Sequence, residues 1–156
     1  MIRLLLTFLI VVLLAVAGFA LWVRLAPSDP DLWHTDPSAA RPGKGRFVMA
    51  PGGDLPPRIF AGRDPGEVLA ELDAIALSEP RTERVAGAPG EGRITWVQRT
   101  RLWGFPDYIT ADAQPAPGGG TRLEILSRLR FGREDMGVNR TRVTRWLARL
   151  DAAMAL

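Results

Sequence analysis

The chain has no cysteine and a single histidine, His34. The first absence excludes disulfides, thiolate metal sites and a cysteine nucleophile, and it fits an oxidising or a reducing compartment equally well. The second leaves zinc without a ligand set. No acidic loop has EF-hand spacing. Gly43, Lys44 and Gly45 lack both the upstream glycine and the following Ser/Thr of a phosphate-binding loop. Neither a metal nor a cofactor is expected. A Ser-His-Asp triad would need His34 to fold back onto Ser127, and no Gly-x-Ser-x-Gly elbow surrounds that serine. Glu134 and Asp135 are neighbours in sequence and so point apart, which makes a poor acid–base pair.

Lysine is also scarce: of the 20 Lys and Arg residues, Lys44 is the one lysine, and the formal net charge is +3. The arginines are densest from residue 121 onward. Such a balance suggests an anionic partner, but no recognised nucleic-acid motif accompanies it. Nucleic acid is therefore not expected, and an anionic lipid or a small anionic ligand is the better match.

What the sequence does have is a long apolar run. Between Leu4 and Val23 there is no charged residue, and as a helix this stretch spans roughly 30 Å of hydrocarbon. Trp22 stands where an indole favours the membrane–water interface. Ala15-Val16-Ala17 offers a small-x-small cleavage site, yet the run continues through Phe19, Leu21, Trp22 and Val23, which favours a retained anchor over a signal peptide. Arg3 and the amino terminus favour an N-inside orientation, so the soluble part is expected on the periplasmic or outer side.

Three regions follow from this: a transmembrane anchor over 1–25, a Pro/Gly-rich tether over 26–63 holding seven prolines, and a soluble domain over 64–156. Within the tether, Phe47-Val48-Met49 and Ile59-Phe60 are short enough to be edge strands or packing patches. Asp64-Pro65-Gly66-Glu67 signals a helix start with a capping box, and Val68, Leu69, Leu72, Ile75 and Ala76 recur at helical spacing up to Pro80. Strand-like segments at 82–87, 93–103, 107–114 and 121–131 are joined by short Gly/Pro turns, which favours an antiparallel meander. A last helix has Asn139 suited to the N-cap, Val138 and Val143 to a hydrophobic staple, and an apolar stripe of Val143, Trp146, Leu147 and Leu150. The expected fold is α+β: an N-terminal transmembrane helix, then a four-stranded antiparallel sheet with two helices packed on one face.

Arg99 to Asp107 (RTRLWGFPD) and Ser127 to Arg142 (SRLRFGREDMGVNRTR) resemble domain-of-unknown-function family 1499 of bacteria and plant plastids. The most specific part is the spacing of Ser127, Arg130, Gly132, Asp135, Gly137, Asn139 and Arg142. The resemblance covers roughly 60–152 and implies no activity. Many members are similar in having a hydrophobic N-terminal segment. The cysteines found in the Pro-rich stretch of other members have no counterpart here.

Strand alternation puts Arg93, Arg99 and Arg101, then Tyr108, Thr110 and Asp112, then Arg122, Arg128 and Arg130 on the helix-free sheet face. Guanidinium forks match carboxylates and phosphates, so a binding surface is expected from Arg99, Arg101, Ser127, Arg128, Arg130, Asp135, Asn139 and Arg142. The competing description is a solvated face whose arginines pair with Glu124 and Asp112. Around Asp135 the alternative is a turn built for its backbone shape, with Asn139 capping the helix. Asn139-Arg140-Thr141 also spells a glycosylation sequon. The leading functional expectation is a non-enzymatic, membrane-anchored envelope protein that binds a partner or an anion. The alternative is an enzyme acting on an anionic substrate through Asp135, Asp107 or Ser127.

Overall fold

Residues 1–155 are described by the structure, a computed structural model. The apolar run forms α1 (Ile2–Leu25), in which Val23 is the one buried residue. At 1.5 Å per residue the helix is about 36 Å long, and it is long and apolar enough to cross a membrane. A single helical turn, α2 (Pro30–Trp33), starts where the Asp29 carboxylate accepts from the Asp31 N–H. The chain then builds β1 (Arg46–Met49), β2 (Arg58–Phe60), α3 (Pro65–Ser78), β3 (Thr82–Ala88), β4 (Arg93–Arg99), β5 (Pro106–Pro115), β6 (Thr121–Leu129) and α4 (Val138–Met154).

The sheet has six strands rather than the four expected, in the order β1-β6-β5-β4-β3 with β2 also on β6. All the pairings are antiparallel. The four meander strands lie at the expected places. The two additional ones, β1 and β2, come from the segment read as a tether. They line up end to end along the free edge of β6, Met49 opposite Ile125 and Arg58 opposite Leu123. Strands of three and four residues are too short to carry a period. What makes them strands is the row of unpaired N–H and C=O groups that β6 would otherwise expose.

Local chemistry sets the element ends. Asp64 caps α3 by accepting from Gly66 N at 2.7 Å and Glu67 N at 3.4 Å, while Glu67 pairs with Arg63 instead of closing a capping box. The strand expected to run to 103 stops at Arg99, because Thr100–Gly104 closes a turn through Gly104 N to Thr100 O. The N-cap of α4 is Gly137 in the left-handed region, φ 80°, not Asn139. Val138 is exposed and forms no staple.

One buried cluster joins Val68, Leu69, Leu72 and Ile75 of α3 to Val143, Trp146 and Leu150 of α4 and to Ile94, Trp96, Ile109, Leu123 and Ile125 of the sheet. Trp96 and Trp146 meet edge to face, centroids 5.8 Å apart. The indole N–H of Trp96 donates to Asp73, whose carboxylate also receives Arg84, so a buried polar group is satisfied within the core.

Candidate functional site

The sheet face turned away from that cluster carries Thr95, Tyr108, Thr110, Asp112, Glu124, Leu126 and Arg128. Sequence alternation predicts a solvated face, and the structure corrects this: Thr95, Tyr108, Thr110, Asp112 and Glu124 are all buried. Residues 27–40 cross it. Trp33 stacks on Tyr108, and Ser28 Oγ lies 2.9 Å from the Tyr108 hydroxyl. His34 Nδ1 lies 2.9 Å from Thr95 Oγ1, which in turn meets Thr110 Oγ1 at 2.8 Å. Thr110 donates to the Trp33 carbonyl. The segment has only the short turns Pro30–Trp33 and Pro37–Ala39, which leave carbonyl lone pairs free for further donors, and the arginines of this face supply them. Arg128 reaches the carbonyls of Leu32 and Trp33 and the Thr35 hydroxyl, and Arg130 reaches Pro27 O at 2.6 Å. Arg99 donates to Val23 O and Ala26 O at the end of α1.

The expected pairing with acidic residues is also present. Arg93 meets Asp112 at 2.8 Å, and Arg122 approaches Glu124 at 3.3 Å. The second contact has ion-pair distance without hydrogen-bond alignment, since Glu124 Oε1 has no hydrogen-bond partner. Burial raises the Glu124 carboxyl above its ordinary pKa; Arg122 opposes this, and Asp112, directly across the strand pair, adds to it.

Arg46 and Arg128 are likewise directly opposed, across β1 and β6. Among the described residues neither makes a salt bridge, and Arg128 Nε is buried without a partner. Burial, then the charge of Arg46, pulls the Arg128 pKa below its usual value. Beside the pair lies a cavity of about 280 Å³ lined also by Thr35, Asp36, Ala40 and Leu126.

Ser127, Asn139, Arg142 and Asp107 meet on the opposite, helix-bearing side, at the start of α4. Ser127 Oγ donates to Asn139 Oδ1 at 2.6 Å. Arg142 donates to the same Oδ1 at 2.6 Å, to Asp107 Oδ2 at 2.7 Å and to Gln98 Oε1 at 2.6 Å. All four are buried. Burial raises the Asp107 carboxyl, and the adjacent Arg142 pulls it back. Asp135 accepts from Asn139 N at 2.7 Å and from Gly137 N at 3.3 Å. These N–H groups outweigh burial and hold its carboxyl below the usual range. Asp135 therefore does the capping assigned to Asn139, and the buried Asn139 amide is closed to a glycosyl donor. Arg142, although outside the apolar stripe of α4, is 4% exposed. The groups named for an enzyme are thus engaged with one another and with the α4 backbone.

The expected site residues divide into two sets. Arg99, Arg128 and Arg130 hold the segment after α1; Ser127, Asp135, Asn139 and Arg142 form the inner network. Arg101 belongs to neither, lying exposed in the β4–β5 turn. Arg46 and Trp33 carry no expectation from the sequence, and His34 enters there only as a discounted triad member. The one sequence signal for Arg46 was its place before Phe47-Val48-Met49, where alternation turns it from the core.

Comparison with known families decides the relationship. The sequence model described as "Protein of unknown function (DUF1499)" matches residues 24–150. The chain belongs to the DUF1499 family. No curated protein matches it. The DUF1499 match starts at Arg24 rather than near residue 60, and it therefore takes in the crossing segment, β1 and β2. That extent agrees with the contacts: in this DUF1499 protein the residues after α1 are part of the domain's own packing.

Proposed function

We propose that this DUF1499 protein is a single-pass membrane protein whose domain, with α3 and α4 on one sheet face and residues 27–40 on the other, binds an anionic group at the bilayer surface. The N-inside preference of Arg3 puts the domain on the outer side. Retention of α1 is supported by its chemistry: cleavage after Ala17 would leave Phe19, Leu21 and Trp22, all exposed, at a new terminus in water.

The observation that carries the binding reading is the Arg46–Arg128 pair. Two like charges opposite each other across an antiparallel pair are destabilising unless something sits between them, and a buried unpaired guanidinium N–H seeks an acceptor. A carboxylate or phosphate in the adjoining cavity answers both. The Asp36 carboxylate at the rim is occupied by Ser38 N at 2.8 Å. Arg128 Nη2 holds the Leu32 and Trp33 carbonyls, but its Nε has no partner, and Arg46 makes no salt bridge among the described residues, so the anion-accepting surface narrows to this pair.

The test is a thermal-shift screen of the full chain in zwitterionic detergent against inorganic phosphate and simple carboxylates. The wild type is expected to gain stability with phosphate, and Arg46→Gln to lose that gain while melting, without ligand, no lower than the wild type because the like-charge repulsion is relieved. Wild-type protein that responds to none of these anions, or an Arg46→Gln protein that responds equally, overturns the reading.

A further inference from the structure

From the contacts at the end of α1 we infer that the β4–β5 turn is a second membrane element, and that the cleft between it and α1 receives the acyl chain of a bilayer phospholipid. The inference rests on α1 being a retained anchor.

The turn packs on α1. Phe105 packs on Phe19 of α1 with centroids 6.2 Å apart, and Trp22 meets Phe131 at 5.3 Å. Phe105 also lies 6.1 Å from Phe131 and 6.4 Å from Trp103. Polar contacts fix the turn against the helix: Arg24 Nη2 donates to Leu102 O at 2.6 Å, and Arg99 bridges Gly104 O and Val23 O. Gly104 permits this approach, because with φ at 75° a Cβ there would come within 2.6 Å of Arg24 Cγ.

Beside these contacts is a cleft of about 380 Å³ lined by Ala15, Val16, Phe19, Trp103 and Phe105, almost without polar surface. Ala15 lies eight residues before Val23 in the same helix, which is about 12 Å along its axis. Trp103 and Phe105 thus reach back alongside a part of α1 that stands in hydrocarbon when the helix spans the bilayer. Leu102 is 74% exposed and Trp103 38% exposed. In water such a patch is a liability; at an interface, aromatic rings are the favoured residues. Arg24, which holds Leu102 O, and the exposed Arg101 bring two positive charges to this turn, which suits an anionic lipid.

The occupant is a lipid chain because one wall is a candidate membrane helix and the lining is almost wholly apolar. The test uses the full chain in phosphatidylcholine–phosphatidylglycerol vesicles whose phosphatidylcholine carries bromine on its acyl chain. Trp22→Phe removes the helix's own fluorophore, Trp96 and Trp146 are buried in the core, and Trp33, stacked on Tyr108, is removed in the same background by Trp33→Phe. Bromine is expected to quench the Trp22→Phe/Trp33→Phe protein, and adding Trp103→Phe is expected to abolish that quenching. Ala15→Phe, which fills the cleft, is expected to reduce it. Equal quenching with and without Trp103, in protein that withstands carbonate washing, overturns the inference but leaves the anchor intact. Protein released by carbonate overturns the anchor reading and this one with it. Because the chain has no cysteine, Ala15→Cys gives a disulfide dimer only where two copies meet at this point; such a dimer assigns the cleft to a second copy and also overturns the lipid assignment.

Discussion

Trp33 lies flat on Tyr108, with ring centroids 3.8 Å apart and planes 10° from parallel. Arg128 caps the same indole, its guanidinium carbon 4.8 Å from the ring centroid. A residue eight positions past the end of α1 is therefore pinned to the middle of the sheet. The stacking and the Arg128 hydrogen bonds together make the segment after α1 a structural layer.

Removing that ring should loosen the layer. Trp33→Ala is expected to destabilise the protein by about 1–3 kcal/mol, from lost ring burial and stacking. Chemical denaturation measures the loss. Limited proteolysis should show faster cleavage within 27–45, with the sheet itself still resistant.

His34 makes the layer pH-sensitive. Burial, then Arg93, lowers its pKa below 6.5, with Glu91 and Asp112 pulling the other way. The folded state binds the proton more weakly than the unfolded one, so stability is full above 6.5 and is lost as the pH falls from there through the folded value. Amide protection over residues 30–36, corrected for the intrinsic pH dependence of exchange, is expected to fall on acidification below 6.5 in the wild type and to stay level in His34→Gln. Unchanged protection in the wild type would count against neutral His34 as a contributor.

Glu124 slopes the opposite way. Its raised carboxyl means that the folded state holds the proton more tightly, so stability falls as the pH rises from 4.5 through the folded pKa. Glu124→Gln should remove that slope. At neutral pH it should stabilise the protein, because it removes the buried charge that faces Asp112. Melting temperatures across the acid-to-neutral range check both statements.

Arg142 and Asp107 are 5% and 9% exposed at their side chains. Arg142→Ala leaves an unpaired buried carboxylate and should cost about 3–5 kcal/mol. Adding Asp107→Asn should recover part of that loss, since the stranded charge is then gone. A double-mutant cycle in urea reads the coupling, and strictly additive losses would show that the pair does not act as one unit.

Much of the architecture was legible in the sequence. The apolar run declares α1, the Asp64-Pro65 start and its apolar repeat declare α3, and alternation with Gly/Pro turns declares the four meander strands. Their registers keep Ile94, Trp96, Ile109, Leu123 and Ile125 on one face, because a strand's period of two leaves little freedom once the apolar set must be buried. The stripe of α4 was equally plain. Its first turn was misread: Asn139 has the chemistry of a cap, and nothing local shows that Asp135 takes the N–H groups while Asn139 turns inward to Ser127.

The candidate site was legible only as a list of residue types. Sequence marked Arg99, Arg128 and Arg130 as one face and Ser127, Asp135, Asn139 and Arg142 as one motif, but not what each touches. An arginine fork serves an anion, a carboxylate or a backbone carbonyl equally well. The choice depends on what lies opposite, and here that is a Pro-rich segment with no period to announce where it packs.

By itself, then, the sequence determined the membrane-length helix, the main elements and the inward faces, because periodicity and turn chemistry act over a few residues. Only the tertiary structure decided that residues 27–40 cover the second sheet face, that β1 and β2 close the edge of β6, and that the β4–β5 turn lies against α1. Each of these is settled by unpaired backbone groups and apolar surfaces finding partners far away in sequence, and no local pattern records such a meeting.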